Sequence, residues 1–255
     1  MLRTLRRLLL ALYGALALLV VLFLLTPPPV PSAFLPASTL VMLAFALLHA
    51  GARYGWGRAL LFWGVTSILT LGFEALGVST GWIYGPYHYT ARLGPRFLGL
   101  VPYQIPLAWF MMLYPATVVA ERALPAGWPE HRKRWVLPLL AGLAMTAWDL
   151  VMDPFMAGGR YWVWEVEGAY FGVPVHNFGG WWLTATVAVA VFLGLGRVSR
   201  PRAHPDDREA VVAYALVALG NVAHAALLGY WGPALVGFFA LVPWVWLGWW
   251  GAGSG

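Results

Sequence analysis

Hydrophobic residues fall along this chain in long blocks. Apolar runs near 7–25, 35–51, 58–80, 101–121, 135–153, 180–197, 210–230 and 233–250 each approach the roughly 20 residues with which an α-helix spans about 30 Å of hydrocarbon. They predict eight helices, the second and the last resting on the weakest runs. The first run follows Arg3, Arg6 and Arg7 in the manner of a signal peptide, but its apolar part exceeds the usual span of about 7–15 residues, which favours a retained helix. With no internal repeat and no second domain in view, the pattern gives an all-α fold: one polytopic transmembrane helix bundle occupying residues 1–255.

Composition removes the soluble alternatives. The chain is 61% hydrophobic and only 10% charged, against about 25% charged in soluble domains. Cysteine is absent, which excludes thiol catalysis, disulfides and cysteine-based zinc or iron–sulfur sites.

Basic residues orient the bundle, because Lys and Arg are retained on the cytoplasmic side of short loops. A cytoplasmic N-terminus puts Arg3, Arg6, Arg7, Arg53, Arg58, Arg122, Arg132, Lys133, Arg134, Arg197, Arg200, Arg202 and Arg208 inside, and leaves only Arg92, Arg96 and Arg160 outside. Both termini are then cytoplasmic, as expected of a protein of the inner membrane. The net charge of +6 reports this topology; spread over several loops, it makes no nucleic-acid footprint.

Three carboxylic acids interrupt the greasy helices: Glu74 in LFWGVTSILTLGFEALGV, and Asp149 with Asp153 in VLPLLAGLAMTAWDLVMDPF. An Asp at mid-membrane costs about 2.5–3.5 kcal/mol on insertion scales, so such groups face a bundle interior and mark function. Counted from Arg58 and Arg134 at about 1.5 Å per residue, all three fall in the outer half of the bilayer. Four residues apart, Asp149 and Asp153 share one helix face. Above them, the outer segments GWIYGPYHYTARLGPRFLG (81–99) and GGRYWVWEVEGAYFGVPVHNFGGWW (158–182) are too aromatic for solvated linkers. They are expected to fold back over the bundle and cap a partly wet chamber, since irregular backbone at that depth needs protein or water to satisfy it. The inner loops ERALPAGWPEHRKRW and RVSRPRAHPDDRE read as solvated turns.

The order of these pieces resembles a known family. An acid in helix three, Trp82-Ile-Tyr84-Gly85-Pro-Tyr87-His-Tyr89, Val101-Pro102 opening a helix, Asp149-x-x-x-Asp153-Pro154, and Gly172-Val173-Pro174-x-x-Asn177-Phe178-x-Gly180-Trp181 are similar to the CruF-type carotenoid biosynthesis family, the carotenoid 1′,2′-hydratases that include bisanhydrobacterioruberin hydratase. The resemblance covers about residues 56–195. It implies addition of water across the terminal double bond of a ψ-end group of lycopene, γ-carotene or a C50 carotenoid, giving a tertiary alcohol. The implied partners are a carotenoid within the bilayer, water and other carotenoid enzymes; the chemistry calls for no cofactor.

An unactivated alkene is a weak base, so hydration needs a strong acid, a shielded cation and one positioned water. Two carboxyl groups sharing a dry site do not readily ionise together, which leaves one as a proton donor. Asp149 is the expected donor, with Asp153 or Glu74 as the carboxylate that holds water. Asp153 before Pro154 also has the signature of a helix end and a new N-cap, and Glu74 has the alternative of tethering a Tyr or His of the folded loops. Asn177 either orients the water or caps the next helix. Trp82, Tyr84, Tyr87, Tyr89, His176, Trp181 and Trp182 are candidates for lining a polyene pocket, since aromatic faces stabilise a cation; interfacial belt or packing is the alternative for each. Trp244, Trp246, Trp249 and Trp250 read as a belt alone. An iron site from His88, His176 and an acid is the lesser alternative, because the histidines lack the spacing of metal ligands. A carotene cyclase starts from the same protonation; a proton-coupled carrier also places acids mid-membrane but usually has repeated halves.

Overall fold

A computed structural model describes residues 1–26, 30–197 and 204–251; Arg200 and Arg202, assigned above to the cytoplasmic side, lie outside the described residues. Among the described residues are eight helices: α1 (Leu2–Leu25), α2 (Phe34–Tyr54), α3 (Trp56–Thr80), α4 (Gln104–Ala123), α5 (Glu130–Gly158), α6 (Val175–Leu195), α7 (Asp207–Leu227) and α8 (Trp231–Trp250). Seven are long and apolar enough to cross a membrane. The one that falls short is α4, not the weak second and last runs. Its position explains this: α4 packs against α2, α3, α5, α7 and α8, and a helix wrapped in protein meets little lipid and carries Trp109, Tyr114 and Thr117 fully inside.

Two helices run further than their apolar runs in ways that bear on the acids. The sequence offered an end for α5 at Asp153-Pro154, yet the helix continues to Gly158, so Asp153 is no cap. Pro154 cannot donate to the Leu150 carbonyl four residues back, and the Tyr170 hydroxyl donates to that carbonyl instead, at 2.9 Å. A borrowed donor of this kind is what lets a proline sit inside a membrane helix. Likewise α6 opens at Val175 behind Pro174. His176 and Asn177 therefore lie within its first turn, and the capping role considered for Asn177 is not the one it has.

At one end of the bundle the two outer segments form a cover. Gly81, left-handed at φ 69°, ends α3 with its N–H on the Gly77 carbonyl and releases the chain into β1 (Tyr87–Tyr89), a short 3₁₀ turn, β2 (Arg96–Phe97) and β3 (Val101–Pro102). Val101-Pro102 thus closes a small β2–β3 hairpin before α4 begins. From the second segment β4 (Trp162–Trp164) pairs antiparallel with β1, setting Tyr87 opposite Trp164 and Tyr89 opposite Trp162. The cover's main ribbon is this β1–β4 pair, with the β2–β3 hairpin beside it in the sequence.

The opposite end gathers the basic residues. Arg58 and Arg134 donate to the Gly196 and Leu193 carbonyls at the end of α6, and Arg122 donates to those of Gly248 and Trp249 at the end of α8. Arg6 bonds Asp206 and Glu209, while Arg53 bonds Glu121 and Asp207. The loop before α7 is thus no plain solvated turn: Asp206, Asp207 and Glu209 are buried because they answer arginines of α1 and α2.

Candidate functional site

The three acids lie beneath the ribbon, and their surroundings differ. Glu74 on α3 is buried and accepts three hydrogen bonds: one oxygen from the hydroxyls of Tyr87 and Tyr89 (2.7 Å for Tyr89), the other from Trp109 Nε1 at 3.1 Å. Burial first, and then the charge of Glu74, push both tyrosine hydroxyls well above their ordinary values; they stay protonated and serve as donors. Asp153 on α5 also has three donors. Trp162 Nε1 and Trp164 Nε1 reach Oδ1 at 2.8 and 3.2 Å, and the Asn177 amide reaches Oδ2 at 2.7 Å.

Asp149 stands apart. Its side chain is wholly buried, Oδ2 accepts from the other hydrogen of the Asn177 amide at 2.8 Å, and Oδ1 has no partner. A buried carboxyl oxygen without a partner costs about 1–3 kcal/mol or more. Asn177 therefore bridges the two aspartates and joins α6 to α5. The sequence made Asn177 a candidate for orienting water; here its amide NH₂ is spent on carboxyl groups.

The period of a β-strand explains the ribbon's grip. Residues i and i+2 face the same way, so Tyr87 and Tyr89 both point down to Glu74, and Trp162 and Trp164 both point down to Asp153. The Trp-Val-Trp spacing, matching Tyr-His-Tyr in the first segment, is the signal that could have revealed Trp162 and Trp164 as site residues; nothing in the sequence singles out Trp109. Tyr84 is held differently. Its ring lies against Gly77 and Gly180, where an added Cβ would come within 2.6 and 2.5 Å of it, and its hydroxyl is 2.8 Å from Thr184 Oγ1.

Aromatic contacts tie the two acid clusters together. Trp181 stacks on Trp109 with ring centroids 4.3 Å apart, and Trp148, next to Asp149, meets Trp181 edge-on at 5.9 Å. Other candidates fall outside. Trp82 is 74% exposed, His176 is exposed, and Trp182 turns its indole N–H to the Leu139 carbonyl. His88, exposed on β1, faces Glu165 at 3.2 Å. Among the described residues no three His, Cys, Asp or Glu side chains gather as a metal site. The ribbon's inward side chains, Tyr87, Tyr89, Trp162 and Trp164, stand directly against Glu74 and Asp153. A cavity of about 370 Å³ lies elsewhere, between α1, α7 and α8, with Gly14, Leu216 and Trp249 in its walls.

The architecture, a membrane-type bundle with buried acids under an aromatic cover, meets its counterpart in sequence. The family described as "Carotenoid biosynthesis protein" matches residues 32–244. The chain belongs to that family. It is also similar to a bisanhydrobacterioruberin hydratase from Haloarcula japonica, at 34% identity over 126 residues, which is 49% of this chain and 42% of that relative. The matched stretch is thus less than half of the relative's length. No solved structure matches the chain. Family membership fixes the broad setting as carotenoid biosynthesis, in a protein whose apolar helices suit a membrane.

Proposed function

We propose that this protein is a carotenoid hydratase that adds water across the terminal 1′,2′ double bond of a ψ-end group, giving a tertiary alcohol. The observation that carries the reading is the unpartnered Oδ1 of Asp149, a buried acid beside a second carboxyl group whose oxygens are fully engaged. The hydratase named among its relatives supports the reaction class.

In this reading Asp149 Oδ1 delivers its proton to the less substituted alkene carbon. The charge that appears on the tertiary carbon is stabilised by indole faces, a part given to Trp148, which adjoins Asp149 in sequence, and to Trp181, packed edge-on against it. Water then adds to that carbon, and its surplus proton returns to the Asp149 carboxylate, which restores the acid. Alkene and water supply every atom, so the reaction is written without a cofactor. Asp153, Glu74 and Asn177 act by position: three donors on each of the two carboxyl groups hold them as fixed acceptors, and Asn177 keeps Asp149 in register. The ψ-end group is the substrate feature committed to; lycopene, γ-carotene and C50 carotenoids all carry it. The basic end of the bundle is assigned to the cytoplasmic side of the inner membrane on the distribution of its arginines, which puts the acids toward the outer face.

Expression in a lycopene-making bacterium, followed by mass analysis of extracted pigments, tests the reading. Products heavier by one or two waters are expected. An isomer of unchanged mass would mean that an internal alkene captures the cation, as in a cyclase; unaltered pigment across lycopene, γ-carotene and C50 hosts would overturn the assignment.

A further inference from the structure

The ribbon does more than cover the site. Its β4 strand ends in two indole N–H groups that converge on one oxygen of Asp153, while Asn177 divides its two amide hydrogens between Asp153 and Asp149. Counted by donors, Asp153 receives three and Asp149 one. Both aspartates belong to one helix, lie four residues apart and are equally buried, so neither α5 nor burial distinguishes them. Glu74 on α3 has three donors of its own. No described lysine or arginine bonds any of the three acids. What differs between the two aspartates is the pair of indoles brought in by the cover.

We propose that Trp162 and Trp164 are positioning residues that decide which aspartate is the acid: by occupying Asp153 Oδ1 they hold Asp153 as an acceptor and leave the proton of the pair on Asp149. An acceptor-only carboxylate suits two N–H donors, whereas a protonated carboxyl would turn its own O–H toward a partner. The asymmetry of the pair thus comes from the cover, whose β4 carries both indoles. The consequence for turnover rests on the hydratase reading; the location of the proton does not.

Infrared spectroscopy of the full chain in lipid nanodiscs separates the two. A protonated aspartic acid shows a carboxyl C=O band that shifts in heavy water. The wild-type band is expected to vanish in Asp149→Asn, and a Glu74→Gln control identifies any contribution of that residue. Adding Trp162→Phe and Trp164→Phe to Asp149→Asn should restore a band, now from Asp153, because its ionised form has lost two donors. In the background that keeps Asp149, the same two phenylalanines should lower turnover by at least about tenfold, the scale of one lost hydrogen bond to a charged group, with KM for the carotenoid unchanged. Trp164→Phe alone, which removes the longer bond and keeps the ribbon's backbone pairing, should give an intermediate spectrum should the double variant misfold. A band that survives Asp149→Asn combined with Glu74→Gln, or no band from Asp153 once the indoles are gone, overturns the inference. If the bands behave as stated and no carotenoid is hydrated, the proposed function fails and the indole assignment stands.

Discussion

Three carboxyl groups of similar burial do different work because their oxygens meet different donors. Glu74 and Asp153 each accept three hydrogen bonds, and Asp149 accepts one. The sequence supplied the acids and the helix face shared by two of them, but not this inequality, because donors from Trp109, Trp162, Trp164 and Asn177 arrive from three other elements. It also left open whether Asp153 ended a helix, a question that Tyr170 answers by bonding Leu150. At this scale the expected outcome for Asp149→Asn is loss of at least about 100-fold in hydration rate, the usual contribution of a positioned acid, with normal insertion. Product formation and detergent-solubilised yield, measured side by side, check it; hydration at the wild-type rate would remove Asp149 as proton donor.

Among elements, the ribbon and the helix ends set the geometry. The alternation Tyr-His-Tyr and Trp-Val-Trp was readable as a period of two, yet pairing between segments some seventy residues apart belongs to no local pattern. The close seam between α6 and the segment that follows α3 depends on glycine. A Cβ at Gly180 would lie 2.4 Å from the Ile83 carbonyl and 2.5 Å from Tyr84, and backbone cannot yield as a flexible side chain does. Gly180→Ala is therefore expected to lower stability by about 1–3 kcal/mol and to displace Tyr84 from Thr184. Thermal unfolding in detergent measures the first effect. A midpoint equal to that of the wild type would mean that the seam is looser than described.

Over the whole molecule, most of the basic residues gather at one end and the aromatic cover lies at the other. Buried ion pairs lock the charged end: the Arg53 side chain, 2% exposed, bonds Glu121 and Asp207 at 2.8 Å each. Arg53→Met leaves two buried carboxylates short of a partner and is expected to cost about 3–5 kcal/mol, read as a lowered unfolding midpoint; an unchanged midpoint would show that the pairs contribute nothing net. The same end governs how α1 is held. Burial pushes the Asp206 carboxyl up, but Arg3 and Arg6 outweigh it and hold the group below its ordinary value. A carboxyl lowered in the folded state stabilises above its unfolded value, about 3.9, and loses that contribution as pH falls through the folded one. Docking of α1 on α7 should thus be constant near neutrality and weaken only in strong acid, and Arg3→Gln should move that weakening to higher pH. Spin-label distances between the two helices follow it, and a transition centred near neutral pH would contradict the assignment.

Sequence by itself determined the membrane-type helices, the separation of basic and aromatic ends, and the three acids, because hydrocarbon penalises every unpaired polar group and so leaves a strong mark on composition and spacing. Tertiary structure alone decided that α4 is central, that α5 continues through Pro154, and that Asp149 keeps a bare oxygen while its neighbours do not. Those outcomes depend on packing and hydrogen bonds between residues that lie far apart in the chain, and such contacts have no period that a linear reading can detect.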